Sequence, residues 1–217
     1  MKGLLIKDFK LLKSQKNFFV IIALITAGMP IYMEDSSFII GYMTFFGSLF
    51  TLSTISYDEF DNGNAFLFSL PFSRKSYTLE KYEFGLIIGG IFWLFATVIA
   101  IIAEMTKNSM MIKETLMTAL LMVPVMIFLL AIMLPFQFKF GGEKSRIAII
   151  GAVGLVVVTG LAAVKIAELF HIDLAAVFNS LPAMGMGMAA AAGIGITVLV
   201  LLISLKISVG IMNKKEF

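Results

Sequence analysis

Residues 58–84 read DEFDNGNAFLFSLPFSRKSYTLEKYEF and separate two segments that are each apolar enough to cross a membrane. Charged residues lie toward both ends of the stretch, yet its middle, residues 65–72, holds three phenylalanines and two leucines. A loop that only faces water does not need so much apolar surface. We therefore expect this segment to dock on another surface.

The composition defines an integral membrane protein. The chain has 217 residues, of which 59% are hydrophobic and 14% are charged, and its mean hydropathy is +0.98. Soluble domains are about 45–50% apolar and about 25% charged. Polar stretches are short, so we predict one transmembrane domain over residues 1–217. Cysteine is absent, which excludes disulfide and thiol chemistry.

Six segments are long enough to span a hydrocarbon core of ~30 Å, the first being short and the last long. Helices are expected, because isolated strands leave backbone groups unpaired in lipid. We predict an all-α membrane protein with six transmembrane helices. The predicted spans are 17–32, 38–57, 84–103, 116–138, 147–166 and 184–211.

The basic residues predict the orientation. If both termini are cytoplasmic, the outer segments hold Lys107, Lys113 and Lys165, and the other 14 of the 17 Lys and Arg residues lie inside or at inner span ends. This is a strong positive-inside bias. We expect a multi-pass protein of the cytoplasmic (plasma) membrane, with residues 58–83 on the cytoplasmic side.

Residues 1–16 predict a basic amphipathic helix at the inner leaflet. Leucines and Phe9 recur at helical spacing, and Lys7, Lys10 and Lys13 are among the lysines between them. An interfacial helix that contacts membrane lipids and anchors the first span is one interpretation. Contact with a cytoplasmic partner is another, and the two are compatible.

The segment between spans two and three contains a second predicted helix. Phe60, Gly63, Leu67 and Leu70 are spaced as one helical face. Because Asn and Gly are weak helix formers, we expect the helix to start near Asn64. Such a helix either docks on a partner or only positions the two spans.

Pro71 is expected to end that helix, and Ser73 is expected to cap the next one, which leads into span three. Arg74 and Lys75 are placed to pair with acidic groups or lipid phosphates. The segment therefore combines an apolar surface with a basic edge.

Two motifs and the layout resemble the membrane subunit of ABC exporters of the type-2 export family. Residues 2–19, KGLLIKDFKLLKSQKNFF, are similar to the family's opening, and residues 70–82, LPFSRKSYTLEKY, are similar to its pattern before span three. The resemblance implies a coupling helix in residues 58–83, which transmits closure of an ATPase pair to the spans. The residues that it assigns to this coupling are Phe60, Asn64, Phe66, Leu67, Leu70, Pro71, Ser73, Arg74, Lys75 and Tyr77.

The resemblance also implies partners and cargo. It implies a homodimer of this chain with two copies of a separate ABC ATPase, which bind ATP and Mg. The layout is similar to permeases that export phenol-soluble modulins, which are amphipathic peptides, and self-protection permeases against bacitracin or lantibiotics share it. Amphipathic peptides or other hydrophobic toxic compounds are the expected cargo. A membrane-embedded scaffold or sensor without a transport path is the alternative.

Residues 141–145, GGEKS, do not form a phosphate-binding loop. The pattern G-x-x-x-x-G-K-[ST] needs Gly directly before Lys, and Glu143 stands there. No cluster of His, Asp or Glu lies at catalytic spacing within the predicted spans. We therefore expect no enzymatic activity, no bound cofactor or metal on this chain and no nucleic-acid partner.

Small residues predict close helix packing. Gly85 and Gly89 form G-x-x-x-G in span three, and Gly185, Ala189 and Gly193 repeat every four residues in the last span. Whether these faces meet another span of the same chain or a second copy is left open by the sequence.

Overall fold

The computed structural model describes residues 2–33, 36–60, 63–107, 112–169 and 186–216, without the side chains of 143, 145–149, 151–164, 166–169 and 186–192. Every regular element in these ranges is an α-helix. The helices are α1 (Lys2–Ser14), α2 (Lys16–Tyr32), α3 (Ser37–Glu59), α4 (Gly63–Leu67), α5 (Arg74–Thr106), α6 (Ile112–Leu169) and α7 (Met186–Lys214).

Four helices are individually long and apolar enough to cross a membrane, among the described residues. They are Ser37–Glu59, Arg74–Thr106, Ile112–Gly142 and Gly193–Lys214. The helix α2 has 17 residues, about 26 Å at 1.5 Å per residue, and qualifies only together with α1, from which it is bent by 67°. The described part of the chain thus holds four or five candidate spans, against the six predicted from sequence.

The fifth and sixth predicted spans are only partly described. Residues 147–166 follow a helical backbone in α6, but nearly all of their side chains lie outside the described residues. The helix α7 begins at Met186, so the start of the predicted span 184–211 lies outside them as well.

The bundle centre consists of α3, α5 and α6, and α7 packs against α6 and α5. Large apolar side chains of α5 are exposed along the helix from Ile87, which is 41% exposed, to Met105, which is 62% exposed. These two residues are 18 positions apart, which corresponds to a helical rise of about 27 Å, close to the thickness of a hydrocarbon core of ~30 Å. We call this exposed apolar surface the lipid-facing stripe of α5. The first turns of α5, residues 74–83, extend beyond it.

At this extended end, which we call the basal end, α1, α4 and the last turns of α7 meet. One apolar cluster there receives buried side chains from six of the described helices. It comprises Leu4, Ile55, Leu67, Tyr77, Tyr82, Leu130, Leu134, Phe138 and Met212. The two ends of the chain are thus joined through a common core.

Span three packs tightly inside the chain at its two glycines. An ideal Cβ on Gly85 would lie 2.9 Å from Leu130 Cδ2, and one on Gly89 would lie 2.7 Å from Met126 Sδ. Both contacts are with α6 of the same chain. Gly193 of α7 is looser, at 3.8 Å from Pro124 Cγ, whereas Gly185 and the Ala189 side chain lie outside the described residues.

Gly89→Ala is expected to destabilise the fold by about 1–3 kcal/mol, because the added methyl group overpacks the α5–α6 contact. Gly90→Ala is the matched control, since nothing lies within 4 Å of its added Cβ. The melting temperatures of the two purified variants in detergent are compared by thermal unfolding. Equal melting temperatures for the two variants would contradict the close packing.

Candidate coupling surface and the charge cluster beneath it

Three apolar side chains are exposed at the basal end and define what we call the coupling patch. Phe60 is 79% exposed, Phe66 is 72% exposed and Leu70 is 42% exposed. They lie on and beside α4, which is connected to the polar first turns of α5 rather than to its lipid-facing stripe. The patch is therefore placed to contact something other than the hydrocarbon core.

Local sequence explains why α4 is short. An ideal Cβ on Gly63 would lie 2.7 Å from the Asp58 carbonyl oxygen, so only Gly fits where the chain leaves α3. The helix ends at Leu67, four residues before Pro71. The Ser73 hydroxyl accepts a hydrogen bond from the Ser76 amide at 3.1 Å, which confirms Ser73 as the cap of the next helix.

The predicted single face of this segment is wrong. Leu67 is only 8% exposed and belongs to the basal apolar cluster, whereas Phe60 ends α3 and Leu70 lies in the turn after α4. Five helical residues are too few to align positions 60, 63, 67 and 70. The buried Leu67 side chain packs α4 against the bundle, and Phe66 is exposed instead.

Of the two residues of the basic edge, Arg74 contributes to the chain's own structure. Arg74 Nη1 donates hydrogen bonds to the carbonyl oxygens of Met212 at 3.1 Å and Asn213 at 3.0 Å. It therefore satisfies carbonyl groups at the C-terminal end of α7, where a cation is favourable. Lys75 and Pro71 are exposed, and Asn64 is half-buried.

Under α4, Tyr77 is buried and its hydroxyl donates a hydrogen bond to Asp58 Oδ2 at 3.0 Å. Its ring packs edge-on against Phe68 at 5.3 Å and against Phe138 at 6.2 Å. Tyr77 thus links the turn after α4 to α3 and α6. Any effect of Tyr77 on a partner would be transmitted through these contacts.

A buried charge cluster lies next to Tyr77. Lys81 Nζ is 2.5 Å from Asp8 Oδ2, 2.8 Å from Asp58 Oδ2 and 3.2 Å from Thr54 Oγ1. Lys7 pairs with Asp58 and lies 3.0 Å from Asp8 Oδ1. The side chains of Lys81 and Asp8 have no exposed surface. The cluster fastens α1 to α3 and α5.

Glu80 adds a third buried carboxyl group. Its closest oxygen is 3.9 Å from Lys81 Nζ. The cluster therefore contains three acidic groups and two lysines. Because a buried charge without a partner is costly, loss of either lysine from the cluster is expected to lower the stability of the fold.

Of the residues predicted for the interfacial helix, Lys7 enters the cluster and Phe9 packs edge-on against Phe84 at 5.5 Å. Lys10 and Lys13 are exposed. The sequence reasoning missed Asp8. The signal was present, because Asp8 lies four residues after Leu4 and four before Leu12, on the apolar side of a helix that is otherwise basic.

Glu59 forms a second connection at the basal end. Its Oε2 accepts a hydrogen bond from the Gly142 amide at 2.8 Å, and its Oε1 accepts one from Lys215 Nζ at 2.9 Å. Lys215 also donates to the Phe138 carbonyl oxygen at 3.2 Å. The end of α3 is thereby joined to the middle of α6 and to the residues after α7.

The helix α6 breaks at this point. Gly141 has φ 75° and ψ 176°, which separates the part that precedes it from the part that runs to Leu169. The Gly142 amide at the start of the second part donates to Glu59, as expected for a carboxylate near a helix N-terminus.

Gly141→Ala is expected to lower the free energy of unfolding by about 1–2 kcal/mol, because a side chain at positive φ is strained. The added Cβ would also lie 3.2 Å from Glu59 Oε2. Gly210→Ala is the control, since it is helical and has nothing within 4 Å. Chemical denaturation in mild detergent compares them, and a stability of Gly141→Ala equal to that of the control would contradict the role of the break.

A cavity of about 400 Å³ lies between α3 and α6. Its lining is apolar except for a few groups, among them Ser53, Ser56 and Gln137, and Gln137 Nε2 donates to Ser56 Oγ at 3.0 Å. Phe45, Leu49 and Met133 provide apolar surface. This combination can accept a ligand that is mainly apolar with some polar groups.

Among the described residues, no group of three His, Cys, Asp or Glu side chains is arranged to hold a metal ion.

The spans, the lipid-facing stripe of α5 and the helix α1 define a polytopic helical membrane protein. Residues 3–213 match the family model described as ABC-2 family transporter protein, and the chain belongs to this family. The family is that of the permease subunit of ABC transporters, which works with an ATPase subunit. Searches of curated proteins and of solved structures gave no match.

Proposed function

We propose that this chain is the permease of an ATP-driven exporter and that α4 with the coupling patch is the element on which its ATPase subunit docks. The observation that carries the proposal is the exposure of Phe60, Phe66 and Leu70 at the basal end, beyond the lipid-facing stripe. A groove on a partner would remove these side chains from water, and aromatic side chains often anchor such contacts.

The contacts beneath the patch support a coupling role. A push on α4 acts on Leu67 in the basal apolar cluster, and a push on the following turn acts on Phe68 and Tyr77. From Tyr77 the contact continues to Asp58 at the end of α3. Movement of the ATPase would therefore reach spans two and three together.

The proposed assembly has two copies of this chain and two ATPase subunits, because six spans are few for a transport pathway. Both termini and the basal end are cytoplasmic in this proposal, supported by the Lys and Arg distribution. The six predicted spans remain part of it. Binding of ATP and Mg is assigned to the partner, since residues 141–145 lack the phosphate-binding pattern.

The proposed cargo is an amphipathic peptide, such as a phenol-soluble modulin, or another hydrophobic toxic compound. The cavity between α3 and α6 supports this cargo class, because apolar walls and the hydroxyl and amide groups of Ser53, Ser56 and Gln137 suit a ligand with both characters. The pathway itself is proposed between the two copies, lined by parts of spans one, two and five.

Reconstitution tests the proposal. The chain is co-expressed with candidate ATP-binding-cassette ATPase subunits from the same genome, and any complex that forms is placed in inside-out vesicles. We expect no ATP hydrolysis by the chain alone, a stable complex, and ATP-dependent uptake of an amphipathic helical peptide. A stable complex without uptake of any amphipathic peptide or hydrophobic compound would favour the scaffold or sensor alternative. Failure to form a complex would contradict docking.

A further inference from the structure

A groove of about 750 Å³ lies between α6 and α7 at the basal end. Its walls are apolar, with Ile132 and Phe136 on α6 and Ile207 and Ile211 on α7. Phe138, with 1% of its surface exposed, forms its floor. The rings of Phe136 and Phe140 are stacked at 6.0 Å, which gives one wall a defined shape.

Three lysines line the basal rim of this groove. Lys139 and Lys214 are exposed, and Lys139 Nζ lies 5.2 Å from the centre of the Phe140 ring. Lys215 is bound to Glu59 and to the Phe138 carbonyl oxygen, so one acidic group is already compensated there. The rim keeps a positive charge, while the groove below it is apolar.

We propose that this groove binds an anionic phospholipid, with its phosphate at Lys139 and Lys214 and an acyl chain along the groove. From Lys214 to Ile207 the helix rises by about 10 Å. The groove therefore reaches from the lysine rim into the lipid-facing part of the bundle. Basic pockets between transmembrane helices on the cytoplasmic side are suited to acidic headgroups.

The rim charge also argues against the other occupants. A second copy of this chain on a two-fold axis would bring the same lysines of both copies into one interface, where like charges repel. A purely apolar partner would bury Lys139 and Lys214 without a counter-charge. A phospholipid with a net negative charge compensates the lysines and fills the apolar walls together.

The test measures binding of defined lipids to the purified full chain in neutral detergent by native mass spectrometry, with thermal unfolding as a second readout. Phosphatidylglycerol is compared with phosphatidylcholine and with inorganic phosphate. We expect preferential binding of phosphatidylglycerol, and a reduction of that preference by about tenfold in Lys139→Gln/Lys214→Gln.

Lys113→Gln/Lys165→Gln removes two exposed lysines that lie in neither the groove nor α1 and is the matched control, which should keep the preference. Both double variants should melt like the wild type without lipid, because the replaced side chains are exposed. Equal binding of the two lipids, equal losses in both double variants, or an equal stabilisation by inorganic phosphate would each overturn the proposal.

Discussion

Lys81→Met is expected to lower the free energy of unfolding by about 3–5 kcal/mol, because it removes the buried cation of the cluster and leaves the partly exposed Lys7 to compensate the acidic groups. Asp8 would lose a contact of 2.5 Å, and Asp58 would lose one of 2.8 Å. Met has nearly the volume of the lysine stem, so the change tests charge rather than packing. Thermal or chemical unfolding in detergent measures it.

Lys75→Met is the matched control. It makes the same change in the same helix, six residues away, at an exposed position. Surface substitutions of this kind usually alter stability by no more than about 0.5 kcal/mol. A Lys81→Met variant as stable as Lys75→Met would show that the charge cluster does not stabilise the fold.

A second substitution distinguishes loss of pairing from general damage. Asp8→Asn in the Lys81→Met background removes the buried carboxylate that has lost its Lys81 contact, so the double variant should be more stable than Lys81→Met alone. Trypsin digestion reports whether α1 is released from the bundle. Cleavage after Lys10 or Lys13 should accelerate in Lys81→Met, because burial of the Asp8 carboxylate without Lys81 favours release of α1, and should slow again in the double variant, which lacks that carboxylate.

The features that the sequence predicted well depend on neighbouring residues. Apolar windows located four described spans, because each helix satisfies its own backbone in lipid. The cap at Ser73 was also predictable, since capping involves an amide only three residues away. The start of α5 was less evident from hydropathy, because its first turns are polar and continue the helix from Arg74 beyond the predicted span 84–103.

The features that the sequence did not reveal depend on distant residues. Asp8 and Lys81 are separated by 73 positions and Lys7 and Asp58 by 51, so neither pairing follows from a local pattern. Leu67 is buried and Phe66 exposed because α4 rests on a cluster built from five other helices. Helical spacing alone could not reveal that α4 ends before Leu70.

Phe66→Asp is expected to weaken binding of the ATPase subunit by at least about tenfold, because central aromatic anchors carry a large share of interface energy. ATP-dependent transport should fall with it. Phe66 is 72% exposed in the chain alone, so the purified variant should melt like the wild type. Affinity is measured by titrating the ATPase subunit against the chain in nanodiscs.

Two neighbouring substitutions make this result specific. Leu67→Asp buries a carboxylate in the basal apolar cluster, where Leu67 is 8% exposed, and should destabilise the chain itself. Ala65→Asp adds the same charge at an exposed position of α4 without removing an aromatic ring, and should weaken binding much less. If Ala65→Asp weakened binding as much as Phe66→Asp, negative charge rather than the lost ring would be responsible. If Phe66→Asp left affinity and transport unchanged, α4 would not be the docking element.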